Sequence, residues 1–164
     1  MAKPIEPKLD RATCERMLNG SNVGVLVMCQ DSEPYAVPMN HAFVAGKLYF
    51  HCAPTGRKLD LIRANPKVSY VVQYELGETT PTEARMCHPD WESVIAYGTA
   101  RVVEEAQELR EAFLLFGRHY RPDFQVSEDS LRTTRAIVMD ITTMTTRREV
   151  KGEGVSYCTW EPEG

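Results

Sequence analysis

Two adjacent basic residues, Arg57 and Lys58, lie in the first turn of a short helix that the sequence predicts from Thr55, its expected N-cap, to Asn65. A helix N-terminus already carries partial positive charge, so two cations there are favourable when an anion lies between them. The Thr55 hydroxyl could donate a further hydrogen bond, and a phosphate fits because it carries up to about two negative charges at neutral pH. The run TGRK lacks the glycine spacing of a P-loop. The alternative interpretation is that both basic side chains simply extend into solvent.

A proline interrupts the second predicted strand, which runs over residues 35–44. Because Pro38 has no N–H to donate to a strand ladder, it indicates an edge strand or an interrupted pairing. Backbone N–H and C=O groups beside it would then be free to meet a ligand. An ordinary edge strand without a ligand is the alternative.

The composition is typical of a soluble globular domain. The chain has 164 residues, of which 43% are hydrophobic and 26% are charged, so it can bury a core of its own. A net charge of −4 argues against a nucleic-acid partner. No apolar run approaches the roughly 20 residues of a membrane span, and the N-terminus lacks the apolar segment of a secretory signal. We therefore expect a cytoplasmic protein without a membrane or nucleic-acid partner.

Five cysteines occur at irregular spacing and without a Cys-x-x-Cys pair. A disulfide framework or a structural zinc site would show an even or paired arrangement, so we expect free thiols in a reducing compartment and no metal site. Cys87 and His88 are adjacent, which is a poor arrangement for binding one metal ion, and lie in a long predicted loop over residues 76–91.

Hydrophobic and β-branched runs predict a mainly β protein. Six strands are expected, at residues 22–29, 35–44, 47–52, 67–74, 92–103 and 135–146. Several of them follow one another through short turns, whereas an α/β protein alternates strands with longer helices. Six mostly antiparallel strands in a chain of this length favour a closed or half-closed barrel.

Helices are expected to flank this barrel. Asp10 is a suitable N-cap for a short helix that ends at Asn19 and Gly20. After residue 104, apolar residues recur at intervals of three and four up to Tyr120, which predicts an amphipathic helix whose stripe packs in the core or a dimer interface. Residues 1–9 are interpreted as an N-terminal arm and 151–164 as a C-terminal tail, so that 1–164 form a single domain.

Three segments together resemble the FMN-binding split-barrel superfamily of pyridoxamine 5′-phosphate oxidase. They are PYAVPMN (34–40), LYFHCAPTGRKLDLIRANPKVSYVV (48–72) and SVIAYGTARVVEE (93–105), and they occur in the order found in that superfamily. The resemblance covers about residues 12–150 and is greatest to the nitroimidazole-resistance branch. It implies a six-stranded antiparallel split β-barrel with flanking helices, which binds FMN at the interface of a homodimer.

The resemblance also implies which residues contact the flavin ring. Val37, Pro38, Met39 and Asn40 would lie along the isoalloxazine ring, mostly through their backbone. Ser93 would reach the flavin from the fifth predicted strand, and the partner chain of the dimer would complete the site.

A second group of residues would hold the other end of the cofactor. By the same resemblance, His51 and Cys52 would lie beside the ribityl chain and the phosphate. Arg57 and Lys58 would bind the phosphate, where the hydroxyl of Thr55 could assist them.

The resemblance implies an FMN-dependent oxidoreductase that reduces a small electrophile such as a nitroaromatic, with NADH or NADPH as a possible electron donor. The alternative is a non-catalytic FMN-binding protein that stores flavin, senses it or carries electrons. A third interpretation is that a protein of the same fold binds haem or a deazaflavin instead of FMN. Residues 151–164 show no counterpart of the substrate-binding C-terminal segment of pyridoxamine 5′-phosphate oxidase itself, which argues against oxidation of vitamin B6.

Overall fold

One antiparallel sheet forms the frame of the protein in the computed structural model, which describes residues 10–77, 89–150 and 154–160. Within these residues the sheet has eight strands: β1 (Val23–Gln30), β2 (Glu33–Asn40), β3 (Ala42–Val44), β4 (Lys47–Cys52), β5 (Lys67–Glu75), β6 (Trp91–Val102), β7 (Arg135–Val150) and β8 (Gly154–Trp160). The helices of the same residues are α1 (Arg11–Leu18), α2 (Arg57–Ala64), α3 (Ala106–Tyr120) and α4 (Glu128–Thr133).

The strand order leaves the barrel open on one side. Hydrogen-bonded neighbours follow the order β2-β1-β5-β6-β7-β4-β3, and β8 pairs with the end of β7. The sheet curls so that β2 comes into contact with β4, although in the described sheet no strand ladder joins them. The barrel is therefore split between β2 and β4.

The predicted class, a mainly β antiparallel barrel with flanking helices, is confirmed, but the predicted number of six strands is wrong. The expected strand over 35–44 is divided into β2 and β3 at His41, because this side chain turns into the core. The expected C-terminal tail contains β8, whose sequence GVSYCTW is rich in β-branched and aromatic residues and extends the sheet along β7. Most of the predicted loop over 76–91, including Cys87 and His88, lies outside the described residues.

The helix predictions hold with one correction. Asp10 caps α1 by accepting a hydrogen bond of 2.7 Å from the backbone N–H of Thr13, and α3 lies where the apolar spacing predicts it. Helix α2 starts at Arg57, so the prediction of Thr55 as its N-cap is wrong. Gly56 takes that position with a φ of 135°, a conformation that suits glycine because it has no Cβ. No helix within the described residues has the length and apolarity to cross a membrane.

The core fills the barrel and continues beneath one helix. Phe50 and Tyr70 are among the largest fully buried side chains in the barrel, and α1 and α2 bury Met17 and Leu59 against it. A smaller apolar cluster lies between α3 and the outer surface of the sheet, and it contains Phe113. Helix α3 is thereby fixed beside β3, β4 and β7, next to the open side of the barrel.

A buried carboxylate joins α1 to three strands. Glu92 in β6 is 1% exposed. It accepts two hydrogen bonds from the Arg16 guanidinium (2.9 and 3.2 Å), one from Nε of Arg148 in β7 (3.1 Å) and one from the Tyr74 hydroxyl in β5. Burial raises the pKa of this carboxyl, but the hydrogen bonds from Arg16 and Tyr74 and the charges of both arginines outweigh it, so the pKa lies below its usual value. Glu92 is therefore ionised and bound on several sides at neutral pH.

The substitution Glu92→Gln should lower the free energy of unfolding at pH 7 by about 2–4 kcal/mol, because it removes a buried negative charge that two guanidinium groups share. A carboxyl with a lowered folded-state pKa stabilises the fold above its unfolded-state pKa of about 4.3, and this contribution disappears as the pH falls through the folded-state value. The difference between wild type and variant should therefore shrink below about pH 4.3. Urea denaturation at a series of pH values measures both effects.

The substitution Glu104→Gln is the matched control, because Glu104 forms an exposed pair with Arg63 at 2.7 Å. Exposed pairs contribute roughly 0–1 kcal/mol, so this variant should unfold almost as the wild type does. Equal losses in the two variants would contradict the structural role assigned to Glu92.

Candidate functional site

A pocket of about 230 Å³ lies in the gap between β2 and β4, where the barrel is split. The second half of β2 forms one wall, and the end of β4 with the first turn of α2 forms the other. The described residues that line it are Val37, Pro38, Met39, Asn40, His51, Cys52, Ala53 and Lys58. The structure thus brings together seven of the ten residues that the sequence assigned to a cofactor site, and it leaves Thr55, Arg57 and Ser93 outside the lining.

Strand β2 is an edge of the described sheet, as Pro38 predicts. It pairs with β1, where Val25 lies opposite Pro38, and its other edge faces the pocket. Pro38 is exposed and Met39 is buried, so the two residues point to opposite sides of the strand. Strand β2 therefore lines the pocket both with apolar side chains and with backbone groups that do not pair with another strand.

A buried hydrogen-bond network holds the end of β2 in position. The Tyr70 hydroxyl shares its proton between the carbonyl oxygen of Met39 (2.7 Å) and Nδ1 of His41 (2.9 Å), while Nε2 of His41 donates to the carbonyl oxygen of Leu18 (3.0 Å). Burial lowers the pKa of His41 to about 4, so its ring is neutral at pH 7. Because Nε2 faces a carbonyl, the proton of the neutral ring lies on Nε2 and Nδ1 accepts.

Two further contacts fix Asn40, the last residue of β2. The Asn40 side chain donates to the carbonyl oxygen of Asn22 at 3.1 Å. The Tyr120 hydroxyl at the end of α3 lies 3.3 Å from the same carbonyl and also donates to the carbonyl oxygen of His41. Asn40 is thus held between the sheet and helix α3.

The first turn of α2 supplies positive charge at the opposite end of the pocket. Lys58 is half-buried and lines the pocket, whereas Arg57 is exposed and its guanidinium lies 5.0 Å from the centre of the Tyr35 ring. Gly56 provides no side chain to cap the helix, so the N–H groups of this turn receive no side-chain cap. Thr55 is exposed beside them. An anion at this end would meet Lys58 and the positive end of the helix dipole.

The two side chains at the end of β4 are not charged at neutral pH. Burial raises the pKa of the Cys52 thiol, and the nearby charges of Lys58 and Arg135 oppose this effect without overcoming it. Burial also lowers the pKa of His51. Of the described residues that line the pocket, Lys58 is therefore the charged one.

Ser93 lies far from the pocket within one chain. It pairs with Arg147 of β7, whereas His51 pairs with Ala136 of the same strand. Those two positions are eleven residues apart, on the order of 30 Å along the strand. Ser93 of the same chain therefore does not contribute to this pocket.

A second cavity, of about 460 Å³, adjoins the first and was not expected from the sequence. Asn40 and His51 line both cavities, and the rest of the second one is formed by α3, α4, the segment between them and Thr134 just after α4. The stripe of α3 was interpreted as core or dimer packing. Leu109 and Phe113 pack in the small core cluster, as that interpretation allows. Phe113 also lines the cavity, together with Phe116 and Tyr120.

Comparison with known proteins identifies the family. The family model described as pyridoxamine 5′-phosphate oxidase matches residues 10–148. A segment of 61 residues is 36% identical to an uncharacterized protein from Rhizobium meliloti (strain 1021), and it covers 37% of this chain and 40% of that relative.

Solved structures share the fold over most of the chain. A candidate 5-nitroimidazole antibiotic resistance protein from Bacteroides thetaiotaomicron is 25% identical, with a TM-score of 0.71 over 84% of this chain and 82% of the other. A FAD-binding protein from Mesorhizobium loti is 22% identical, with a TM-score of 0.65 over 87% and 96% of the two chains. With the match of the family model, the chain therefore belongs to the pyridoxamine 5′-phosphate oxidase family of split β-barrel proteins.

Proposed function

We propose that this protein binds FMN in the pocket between β2 and β4 and acts as an FMN-dependent oxidoreductase that reduces a small electrophile such as a nitroaromatic. The observation that carries the proposal is the asymmetry of this pocket. The wall formed by β2 consists of apolar side chains and an unpaired strand edge. The opposite end of the pocket contains Lys58, at the start of helix α2. An FMN molecule has the matching asymmetry of a flat ring at one end and a phosphate at the other.

The lining residues fit such a cofactor. Val37, Pro38 and Met39 offer apolar contact and backbone groups to a flat heterocycle. Lys58 offers a charge-assisted hydrogen bond to a phosphate, and no carboxylate is found among the described lining residues to repel it. The FAD-binding protein of similar fold makes FAD the competing cofactor, and comparing the affinities for FMN and FAD distinguishes the two.

When bound, the flavin would supply electron and hydride transfer, which no side chain of the protein can perform alone. The chain itself binds, orients and shields: Lys58 fixes the phosphate, β2 fixes the ring, and the Tyr70–His41 network keeps β2 rigid. In the proposed reaction a nitro compound, NAD(P)H and one proton give the nitroso compound, NAD(P)⁺ and water. The description of the Bacteroides protein supports the choice of a nitroheteroaromatic as acceptor.

A homodimer is part of this proposal. The pocket is open in a single chain, because His51 and Ala53 are exposed beside it. A second copy placed against this opening would cover the cofactor and would offer the one route by which a Ser93 could approach it.

A non-catalytic flavin-binding protein is the second candidate. It is favoured by the lining of the pocket, whose one charged side chain among the described residues is Lys58, and that side chain is assigned to the phosphate. Reduction by a pyridine nucleotide distinguishes the two functions.

The purified protein should be yellow, contain about one FMN per chain and sediment as a dimer of the 18.6 kDa chain. Added FMN should raise the melting temperature of the flavin-free protein, because a ligand that binds the folded state stabilises it. Absorption spectroscopy with cofactor extraction, thermal melts and analytical ultracentrifugation test these points. An absorption spectrum typical of haem or of a deazaflavin would show that the proposed cofactor is wrong. A monomer that still contains flavin would refute the dimer.

The substitution Lys58→Ala should weaken FMN binding by about 10- to 100-fold, because a charge-assisted hydrogen bond contributes roughly 1.5–3 kcal/mol. Riboflavin lacks the phosphate and should bind wild type and variant alike. Arg57→Ala should have a smaller effect, since Arg57 lies over Tyr35 and outside the lining. Fluorescence titration with FMN, FAD and riboflavin provides the dissociation constants.

The substitution Arg63→Ala is the matched control, because it removes a positive charge from the last turn of the same helix. Its FMN affinity should stay within about 3-fold of the wild-type value. If Lys58→Ala lost as much affinity for riboflavin as for FMN, Lys58 would support the fold and the phosphate assignment would be wrong.

Under anaerobic conditions NADH or NADPH should bleach the bound flavin, and a 5-nitroimidazole should restore its absorption. The donor provides two electrons per flavin and the nitro group accepts them, so bleaching and recovery should be stoichiometric. If neither nucleotide reduces the flavin within minutes, the non-catalytic function becomes the better description. Stopped-flow absorbance at the flavin band follows both half-reactions.

A further inference from the structure

The cavity beside α3 has an aromatic wall that is held in place. The Phe116 ring lies edge-on to His51 with 4.6 Å between ring centres, and it lies 5.2 Å from Tyr120. Tyr120 is in turn fixed by its hydrogen bond to the carbonyl oxygen of His41. These side chains therefore present a rigid surface to the cavity.

A glycine in the last turn of α3, Gly117, shapes the other side of the same cavity. A Cβ on Gly117 would lie only 2.1 Å from Cδ1 of Phe124, so the Phe124 ring packs directly on the helix backbone. The absence of a side chain at 117 lets Phe124 lie against the helix, where it lines the cavity together with Phe116.

The position of this cavity relative to the flavin pocket is fixed by shared residues. Asn40 and His51 line both cavities, whereas Lys58 lines the flavin pocket and not the second cavity. A molecule in the second cavity therefore meets the end of the flavin pocket that lies away from the phosphate-binding lysine.

The charge of the lining limits the occupant. Arg121 is the one charged residue among the described lining residues, and its guanidinium is paired with Asp123 at 3.0 Å. A pyridine dinucleotide carries two phosphates, whereas the described lining offers one basic group, and that group is already paired. The cavity therefore does not suit a pyridine dinucleotide. The aromatic faces suit a flat ring, which they hold by stacking.

We propose that the cavity beside α3 binds the electron acceptor, a planar and uncharged aromatic molecule, which stacks against Phe116 and meets the flavin at Asn40 and His51. This inference rests on the proposed function, since a flavin in the first pocket gives the acceptor its neighbour. Beyond that function, the inference specifies where the acceptor binds and its chemical class. It also states that the pyridine dinucleotide does not bind in this cavity.

The test is equilibrium binding of 1,2-dimethyl-5-nitroimidazole to the oxidised protein without any electron donor, measured by calorimetry with and without FMN. Phe116→Ala should weaken this binding by about 10-fold, because it removes a stacking face. Gly117→Ala, which keeps the helix intact, should also weaken it by displacing Phe124. Leu115→Ala is the matched control, because Leu115 is an exposed neighbour on the same helix that does not line the cavity.

Titration of FMN into each variant separates this inference from the proposed function. FMN affinity should fall far less than nitroimidazole affinity in Phe116→Ala and Gly117→Ala, because neither residue lines the flavin pocket, and it should be unchanged in Leu115→Ala. If wild type binds FMN but Phe116→Ala, Gly117→Ala and Leu115→Ala all bind the nitroimidazole as wild type does, or none of the proteins binds it at millimolar concentration, the acceptor site is wrong. If wild type fails to bind FMN, the proposed function fails, and binding of the nitroimidazole to the flavin-free protein still decides whether the cavity takes a flat aromatic ring.

Discussion

The absence of a strand ladder between β2 and β4 is the constraint on which the rest of this structure depends. A fully hydrogen-bonded barrel would use the backbone groups of both strands and leave no room between them. Here Pro38 cannot donate to a ladder, and the chain leaves β2 at His41 to form the short β3 beside β4. The gap is the pocket. Other parts of the molecule can be understood by how they keep the gap open and its walls rigid.

Three groups of contacts keep an unpaired edge from collapsing or fraying. The Tyr70–His41 network anchors β2 from the core side, and Tyr120 anchors the same point from helix α3. Glu92 ties α1 to β5, β6 and β7, which brings Leu18 close enough to accept the hydrogen bond from His41. Because each of these buried polar groups is satisfied, the network adds rigidity without the cost of an unpaired group. Helix α1 therefore takes part both in the ion pair at Glu92 and, through Leu18, in the network that holds β2.

Much of this arrangement could be predicted from the sequence, and the failures have identifiable causes. Hydrophobic runs and turn residues were sufficient to locate all the described strands except β8, which was expected to be a tail, and to locate α1 and α3. Pro38 indicated the open edge. The break at His41 was missed because its cause is tertiary: only contacts with Leu18 and Tyr70, distant in sequence, draw this side chain inward. The start of α2 was misplaced because a threonine is a common N-cap, whereas the observed cap depends on the positive φ of Gly56.

The site residues also divide into those that the sequence placed correctly and those that it did not. Val37 to Asn40, His51, Cys52 and Lys58 lie on two short segments, which the family resemblance had already assigned to one site. Ser93 is different, because the register of β6 on β7 separates it from His51 by eleven positions along β7. A motif match carries no information on whether two residues meet within one chain or across two. The cavity beside α3 was missed because an amphipathic stripe looks the same whether its last turn faces a core or an empty space.

The two cavities together explain how the site can distinguish the ends of its ligands. Positive charge is confined to the α2 end of the first pocket, where Lys58 and the helix dipole add to each other. At the other end, Asn40 is fixed by Asn22, and His51 is neutral at pH 7 because burial lowers its pKa. A phosphate-bearing ring compound would therefore be favoured in one orientation, with its anion at α2 and its ring toward Asn40. An uncharged ring in the second cavity would meet the same neutral side chains, so the proposed acceptor would approach the proposed cofactor without desolvating a charge.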